Sequence, residues 1–371
     1  MTAQEDYGVP SQPKLPVDSW LARRRAAFNV VLPYALLGVV PVLVWVMLLI
    51  EAADRGVVAF DFHHFFYPQA RDLIEGRVPT TAYPPLATLF YVPFATLPSE
   101  VADGAVTVAM LGCAAMTLVV LGVRDWRCYG AAALWAPVFQ AVQSSNLSLV
   151  LTLGVALMWR LRAHAVPAGM LVAVMIALKL FLWPLAGWLL VTRRWRAAAV
   201  MVGFGVVASA AAWAIVGLGG MTNFPALVRG NVQDNGLKPY TLVASLQQID
   251  APVAVAYGVC WTLGAIVLGV AVRFARRGQE AESLALFLGV ALIVSPIVWA
   301  HYLALLLVPA ALASPQFSRL WLVPLPLWVV PQVDGSLPQK ALLFTVALML
   351  VAGAIATSSS SPRTAHRLAE A

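Results

Sequence analysis

The chain has 371 residues, of which 61% are hydrophobic and 11% are charged, with a formal net charge of +7. A soluble domain carries about 25% charged residues, so this composition excludes an ordinary soluble enzyme. The apolar residues come in long blocks, which predicts an all-α polytopic membrane protein. The basic residues cluster in short loops, a pattern that suits membrane topology and anionic lipid better than nucleic acid.

The chain starts with a polar segment, residues 1–28, which we expect to be a disordered cytoplasmic N-terminus. This segment contains three consecutive arginines, Arg23 to Arg25, just before an apolar block over 29–51. The block is longer than the hydrophobic region of a cleavable signal, about 7–15 residues, and so predicts an uncleaved first span. The arginines favour a cytoplasmic start, which puts a first loop over 52–83 on the outer, periplasmic side.

Further apolar blocks follow, and together they predict about 10–12 transmembrane helices in one domain over 29–357. The later blocks cover approximately 84–98, 104–123, 128–143, 145–159, 166–192, 197–217, 251–272, 283–299, 301–313, 320–331 and 341–357. Several blocks are shorter than the about 20 residues that a spanning helix needs, which indicates tilted, broken or re-entrant helices. A second large outer loop is predicted at 217–252, and a loose cytoplasmic tail at 358–371.

The arginines leave the topology of 84–192 open. If each of the twelve blocks crosses the membrane once, the arginines at 124–127 and 160–162 fall outside the cytoplasm, which opposes the positive-inside rule. Merging 84–123 into one span removes the conflict, but 40 residues at 1.5 Å per residue are far too long for one crossing.

The first loop contains the longest polar segment in the first half of the chain, FDFHHFFYPQARDLIEGRVPTTAYPPL over 60–86. A helix over 62–76 would place these side chains on one face: Phe62, Phe65, Phe66, Gln69 and Leu73. We therefore predict an amphipathic helix along the membrane surface, with Gly76 as its C-cap. Asp61 at its start is either an N-cap or a carboxylate ready to take a proton from a hydroxyl group.

Lys179 stands alone in an apolar run, ALKLFLWPL. A charge inside a span is costly, so Lys179 is a snorkelling side chain, a charge in a broken helix or a partner for a phosphate group. His301 follows Trp299 at a Ser-Pro break, where packing and ligand binding are both open. Two adjacent histidines, His63 and His64, point about 100° apart on a helix and are poor joint ligands for one ion, so we expect no metal and no cofactor.

Several segments carry a resemblance to a known family. They are Asp61-Phe62-His63-His64-Phe65-Phe66-Tyr67 with Gly76 and Tyr83-Pro84-Pro85-Leu86; Ala177-Leu178-Lys179 with Arg193-Arg194-Trp195-Arg196; and Ser295-Pro296-Ile297-Val298-Trp299-Ala300-His301-Tyr302. Their order and spacing resemble glycosyltransferase family 87, which comprises actinobacterial polyprenyl-phosphate-sugar-dependent transferases of the GT-C membrane fold. Val298 departs from the usual serine of that pattern, and the run from Gln143 to Asn146 matches a Gly-Gln-x-Asn element only loosely.

The resemblance implies that Asp61 is the general base, because the family's base is the acid of the first loop. It also implies that His301 touches the donor phosphate or sugar. Lys179 and Arg71 are candidate partners for the donor phosphate, although Arg71 on a solvated face is the plainer interpretation. Trp299 is a candidate for stacking on the donor sugar. His64 and Tyr83 are candidate contacts for the acceptor, and interfacial aromatic residues are common in any membrane protein.

The predicted function is transfer of a sugar from a polyprenyl-phosphate donor to a lipid-linked glycan acceptor, at the outer face of the plasma membrane. Mannose is the favoured sugar and arabinofuranose is the alternative. We expect inversion, because no second acid forms an obvious pair with Asp61. A lipid or solute transporter is the alternative from another class, which a single intramembrane charge and the lack of visible repeats disfavour.

Overall fold

A computed structural model describes residues 31–359, and every regular element in that range is helical. The predicted disordered segment 1–28 lies outside the described residues, as does the predicted tail apart from its first two positions. The helices are α1 Val31–Asp54, α2 Phe62–Phe66 continued by Tyr67–Ile74, α3 Pro85–Ala95, α4 Ser99–Val120, α5 Trp126–Ala133, α6 Ala136–Ser144, α7 Ser148–Arg160, α8 Ala165–Leu178, α9 Leu180–Val191, α10 Trp195–Val216, α11 Gly219–Asn235, α12 Leu242–Gln247, α13 Val253–Arg276, α14 Glu280–Val294, α15 Ala300–Ala313, α16 Arg319–Val329 and α17 Leu337–Ser359.

Within the described part of the chain, five helices are long and apolar enough to cross a membrane: α1, α4, α10, α13 and α17. Helices α6 and α7 meet the same test as a pair, although they are bent by 115°. Helices α3, α8, α9, α15 and α16 are apolar but have only 10–17 residues, fewer than the about 20 needed to cross alone. The protein is therefore an all-helical, multi-pass membrane protein, as the composition predicted.

Contacts between distant loops define two ends of the helical bundle. At one end Asn146 donates to Asp61 at 2.6 Å and accepts from Lys179 at 2.9 Å, which joins the segments before α2, between α6 and α7, and between α8 and α9. At the other end Glu280 pairs with Arg194 at 2.9 Å and with Arg162 at 3.3 Å. We call these the Asp61 end and the Glu280 end.

Further contacts assign the remaining loops. The Nζ atom of Lys179 lies 3.9 Å from the centre of the Tyr302 ring, so α15 begins at the Asp61 end. Helix α4 begins at the Asp61 end, where its Asp103 pairs with His63, and therefore ends at the Glu280 end. In the loop that follows α4, the Asp125 carboxylate accepts the N–H of Phe317 at 2.9 Å. The α4–α5 loop and the α15–α16 loop therefore both lie at the Glu280 end. The ring of Trp126 stacks with that of Tyr34 at 4.7 Å, so α1 also begins there.

The described chain makes twelve passes between these ends. They are α1, α4, the α5–α6 pair, α7, α8, α9, α10, α13, α14, α15, α16 and α17. Helix α3, from the predicted block 84–98, is not one of them. The Thr88 hydroxyl near its start donates to Gln69, and Leu97 just beyond its end accepts from the Tyr67 hydroxyl, so both ends of α3 contact α2.

The predicted block 166–192, in contrast, forms two passes. The backbone at Lys179 is extended, with φ −154° and ψ 107°, which ends α8. The arginines at 124–127 and 160–162 consequently lie at the Glu280 end, together with those at 193–196. Counting each apolar block as one crossing placed these arginines outside the cytoplasm for two reasons. The block that forms α3 was counted as a crossing, and the block that forms α8 and α9 was counted as one crossing although it makes two.

The first loop forms a helix, as predicted, and one side of this helix is buried against α3. Phe62, Phe66 and Ala70 are fully buried, and Phe62 and Phe66 pack on the ring of Tyr91 in α3, whereas Phe65 is 47% exposed. The helix starts with a π turn over Phe62–Phe66, and the buried positions therefore recur every four residues. Helix α2 thus packs on α3 through Phe62, Phe66 and Ala70, while Phe65 of the predicted apolar face lies outside this contact.

Candidate active site

Interruptions of the helical passes meet at the Asp61 end. Asp61 precedes α2, Asn146 lies in the α6–α7 bend, Lys179 separates α8 from α9, and His301 is in the first turn of α15. At membrane depth, broken helices are tolerated where the freed backbone groups are buried in protein or line a cavity, and they commonly mark binding sites. This convergence makes the Asp61 end the candidate active site.

Asn146 bridges two groups of opposite charge. Its amide nitrogen donates to Oδ2 of Asp61 at 2.6 Å, and its amide oxygen accepts from Nζ of Lys179 at 2.9 Å. The amide orientation follows from chemistry, because a carboxylate only accepts and an ammonium only donates. Asn146 is 1% exposed and Lys179 is 5% exposed, while Asp61 is partly exposed. The charges are therefore linked through a neutral amide, with no direct ion pair between these two residues.

The bend that presents Asn146 is fixed on several sides. Ser145 adopts a left-handed conformation with φ 50° and ψ 40°, which for a residue with a Cβ costs about 1–2 kcal/mol. Its carbonyl accepts from the Tyr91 hydroxyl at 2.8 Å, and its hydroxyl lies 3.1 Å from that of Thr107. Ser148 donates its N–H and hydroxyl to the Asn146 amide oxygen at 3.2 and 3.0 Å. A strained, fully buried bend held in this way positions the Asn146 side chain rigidly.

Burial raises the pKa of the Asp61 carboxyl above its ordinary value, while the Asn146 hydrogen bond and the nearby Lys179 act in the opposite direction. Asp61 makes no capping hydrogen bond to α2, so its side chain reaches Asn146 and does not cap the helix. A carboxyl group with a raised pKa is a stronger proton acceptor once ionised. Asp61 therefore has the chemistry of a general base.

Two aromatic rings face the Lys179 ammonium. Its Nζ atom lies 3.9 Å from the Tyr302 ring centre and 5.9 Å from that of Tyr83, distances at which the ring faces attract a cation. The Tyr302 ring in turn stacks on Phe181 at 5.0 Å. Since an ammonium has three N–H donors and Lys179 directs one of them to Asn146, further donors are available for a ligand.

His301 is buried without a hydrogen bond. It is 1% exposed, and neither ring nitrogen has a partner among the described residues. An unsatisfied buried polar group costs about 1–3 kcal/mol, so native proteins retain few of them without a reason. Its neighbour Tyr302 is the residue whose ring holds Lys179, which places the unsatisfied imidazole in the same site.

The structure brings together most, but not all, of the residues singled out from the sequence. Asp61, Lys179, Tyr83 and His301 converge, and His64 lies three residues after Asp61, exposed and stacked on Phe60 at 4.3 Å. Two further candidates have no described contact with this group. The Arg71 guanidinium pairs with Glu75 at 3.1 Å on α2, and Trp299 lies just before α15, where its carbonyl accepts the N–H of Tyr302.

Asn146 is the residue of the candidate site that the sequence pattern indicated least. It appeared there only within a loosely matching motif, yet it connects the base candidate to the cation. The available signal was a polar run, Gln143-Ser144-Ser145-Asn146, between two apolar blocks with no charge of its own. Such a run must find hydrogen-bond partners inside the bundle, because lipid offers none.

Comparison with protein families identifies the class of protein. Residues 81–296, more than half of the chain, match the model of glycosyltransferase family 87, so the fold and site belong to a membrane glycosyltransferase. The chain is a member of glycosyltransferase family 87, as its motifs indicated. Comparisons with curated proteins and with solved structures gave no match. Tyr83, Asn146 and Lys179 lie within the matched range, while Asp61 and His301 flank it on either side.

Proposed function

We propose that the protein transfers a sugar, with mannose favoured, from a polyprenyl-phosphate donor to the hydroxyl group of a lipid-linked glycan, and that Asp61 is the general base. The observation that carries this proposal is the chain Asp61–Asn146–Lys179 beside the unsatisfied imidazole of His301. Asp61 supplies a carboxylate for the attacking hydroxyl, and Lys179 with the His301 imidazole faces the leaving phosphate. The Asn146 amide keeps the Asp61 carboxylate and the Lys179 ammonium apart.

The base has one oxygen free. Asn146 occupies Oδ2 of Asp61, while Oδ1 has no hydrogen-bond partner among the described residues. The acceptor hydroxyl would give its proton to Oδ1 as its oxygen forms a bond to the anomeric carbon, and the bond from that carbon to the phosphate oxygen would break. The nearby acids are engaged: Asp72 pairs with Arg77 at 2.5 Å and Asp103 with His63 at 3.1 Å. One free carboxylate favours a single, inverting displacement.

The leaving group is a phosphate ester of a lipid, and negative charge grows on it as the bond breaks. A Lys179 ammonium in a site with little water stabilises such charge far more than it would in bulk solvent. The His301 imidazole can donate a second hydrogen bond to a phosphate oxygen, which would satisfy a group that has no partner in the described residues. Binding of the donor therefore completes the site.

The distribution of arginines supports an outward-facing site. The Glu280 end carries Arg124, Arg127, Arg160, Arg162, Arg193, Arg194, Arg196, Arg273, Arg276, Arg277 and Arg319, mostly in short loops. Short loops rich in arginine stay on the cytoplasmic side. With the Glu280 end in the cytoplasm, the Asp61 end faces the outer side of the plasma membrane, where lipid-linked glycans are extended.

The test is sugar transfer by purified protein in nanodiscs, with radiolabelled polyprenyl-phosphate-mannose and mixed lipid-glycan acceptors. We expect Asp61→Asn to lower transfer by about 10²–10⁴-fold, the range that a general base contributes. Asp72→Asn, a change of the same kind in the same loop, should leave transfer nearly unchanged.

The outcomes separate the candidate functions. Transfer only with the arabinofuranose donor would replace mannose and keep the mechanism. Full activity in Asp61→Asn would remove Asp61 as the base. No transfer by the wild-type protein from either donor would contradict the proposal and favour the lipid or solute transporter.

A further inference from the structure

A groove at the Glu280 end lies at the opposite end of the bundle from the candidate active site and has no part in the proposed reaction. It is an open cavity of about 810 Å³ between the turn that joins α9 to α10 and the last turn of α13. Its lining includes Leu190, Val191, Arg193, Trp195, Val272 and Arg276. A second cavity of about 510 Å³ continues along α13, past Gly269, Arg273 and Arg277.

The charge of the groove is positive and unneutralised. Arg193 and Arg276 are exposed and have no ion pair within the described part of the chain. The acid at the groove, Glu280, already accepts from both Arg162 and Arg194. Since the Glu280 carboxylate already pairs with two guanidinium groups, it does not neutralise Arg193 and Arg276.

The groove is also apolar on the side that faces along the bundle. Trp195 is 62% exposed and Leu190 is 41% exposed, and Val191 and Val272 lie partly buried beneath them. Below its arginines, α13 presents further exposed apolar side chains, with Val270 41% and Ile266 59% exposed. An occupant must therefore combine a negatively charged group at the level of the arginines with a hydrocarbon part along α13.

Arg193 occupies a position at which a different residue is expected. It follows α9 with a left-handed backbone, φ 60°, where glycine or asparagine normally ends a helix. Its N–H bonds to the carbonyl of Leu190 at 3.0 Å, as in an ordinary helix end. The backbone alone thus favours glycine here, and an arginine side chain at the mouth of the groove points to a use for its charge.

We infer that this groove binds an anionic phospholipid. The phosphate would bridge Arg193 and Arg276, since guanidinium groups bind phosphate oxygens in pairs, and an acyl chain would follow the apolar face of α13. Basic pockets between membrane helices on the cytoplasmic side are suited to such headgroups. A lipid held there would tie the α9–α10 turn to α13, the two segments that line the groove. The inference does not depend on the proposed transfer reaction.

The test is native mass spectrometry of the detergent-purified full chain, titrated with dioleoyl-phosphatidylglycerol or with zwitterionic dioleoyl-phosphatidylcholine. We expect the wild-type protein to retain phosphatidylglycerol at about tenfold lower lipid concentration than phosphatidylcholine. The variant Arg193→Asn/Arg276→Gln should lose this preference. Asparagine is chosen because it tolerates the left-handed backbone at position 193.

The matched control is Arg124→Gln/Arg319→Gln, which removes two exposed arginines from the same end outside the groove. Retention of the preference in this control, with its loss in the groove variant, would support the site. An equal loss in both variants, or no preference in the wild-type protein, would overturn it, because general surface charge would then be sufficient. The single variant Arg276→Gln, at an exposed helical position, gives the same comparison if the double variant does not fold.

Discussion

Two groups of charged residues, one at each end of the bundle, are paired in different ways. At the Glu280 end, Glu280 pairs directly with Arg162 and Arg194, and Asp125 pairs with Arg127 at 2.8 Å. At the Asp61 end the buried cation Lys179 has a neutral amide and two aromatic rings as neighbours, and the buried imidazole of His301 has no hydrogen-bond partner among the described residues. The paired acids of the first group have internal partners, whereas the cation and the imidazole of the second have hydrogen-bonding capacity left for a ligand.

This difference separates stability from function. A closed ion pair near water contributes modestly to stability and asks for no further partner. A buried charge without a counter-ion costs free energy in the empty protein, and it persists where a ligand compensates it. Substitutions at the Glu280 end should therefore change stability and leave catalysis alone, while substitutions at the Asp61 end should do the reverse.

Lys179 offers the largest test of this contrast. Lys179→Met keeps the aliphatic stem and removes the charge, so we expect transfer to fall by about 10²–10³-fold, the usual loss when a charge-stabilising group is removed. We expect the melting temperature to stay level or rise, because a buried charge without a counter-ion is removed. Transfer kinetics and thermal unfolding of the same preparation measure both effects.

Lys340 provides the matched control, since it is fully buried at the same end and donates to the carbonyl of Leu237. Lys340→Met leaves that carbonyl unsatisfied, and so should lower the melting temperature while the folded fraction keeps its transfer rate. The opposite result would be a lower melting temperature in Lys179→Met and a loss of transfer in Lys340→Met. It would mean that the two buried lysines cannot be separated into a functional one and a structural one.

The sequence was sufficient to predict the membrane class and the helical first loop, and it singled out Asp61 and Lys179 as candidates whose roles stay predictions. Hydropathy follows from composition alone, and an isolated charge in an apolar run needs no tertiary information to be noticed. Which apolar blocks cross the bundle could not be predicted from the sequence. Helix α3 is as apolar as a crossing helix, and only its contacts with Gln69 and Tyr67 show that it packs back on α2. The burial of α2 on α3 was hidden for the same reason.

The link through Asn146 could not be predicted either. Asp61 and Asn146 are 85 positions apart, and Asn146 and Lys179 are 33 apart, so only the tertiary fold brings the three together. The left-handed Ser145 that aims the amide leaves no trace in a sequence, since serine occurs in many other conformations. Polar side chains without charge therefore deserve as much notice in apolar segments as the charges do.

Asn146→Ala tests that link through its pH dependence, with a smaller loss of rate. The Asn146 hydrogen bond lowers the pKa of Asp61, so its removal should raise that pKa further. A general base acts only when ionised, and the rate rises with pH through the pKa of Asp61. The rising limb of the rate profile should thus move to higher pH by about 1–2 units, from the 1.5–3 kcal/mol of a hydrogen bond to a charged group.

Ser148→Ala is the control, because Ser148 bonds to the same amide oxygen from outside the Asp61–Lys179 link. We expect a much smaller shift of the limb in this variant. A rate lowered equally at every pH in Asn146→Ala, with the limb unmoved, would reduce Asn146 to a packing role.

Asp125 gives the smallest effect and completes the comparison at the Glu280 end. Its carboxylate accepts from the Arg127 side chain and from the N–H groups of Phe317 and Arg127, which lowers its pKa to about 2. A carboxyl with a depressed pKa in the folded state stabilises the protein above its unfolded pKa of about 3.9, and that stabilisation is lost as the pH falls towards 2.

Asp125→Ala should cost about 1–2 kcal/mol at pH 7, the usual effect of removing an N-cap. The difference in melting temperature between wild type and Asp125→Ala should narrow as the pH falls from about 5 to about 2. The neighbouring variant Arg124→Ala should have the melting temperature of the wild type at every pH. Transfer per folded molecule should be the same in all three proteins, because these contacts lie at the end of the bundle opposite the candidate active site. A lower transfer rate in Asp125→Ala would mean that the two ends are coupled and that closed ion pairs also set the geometry of the Asp61 end.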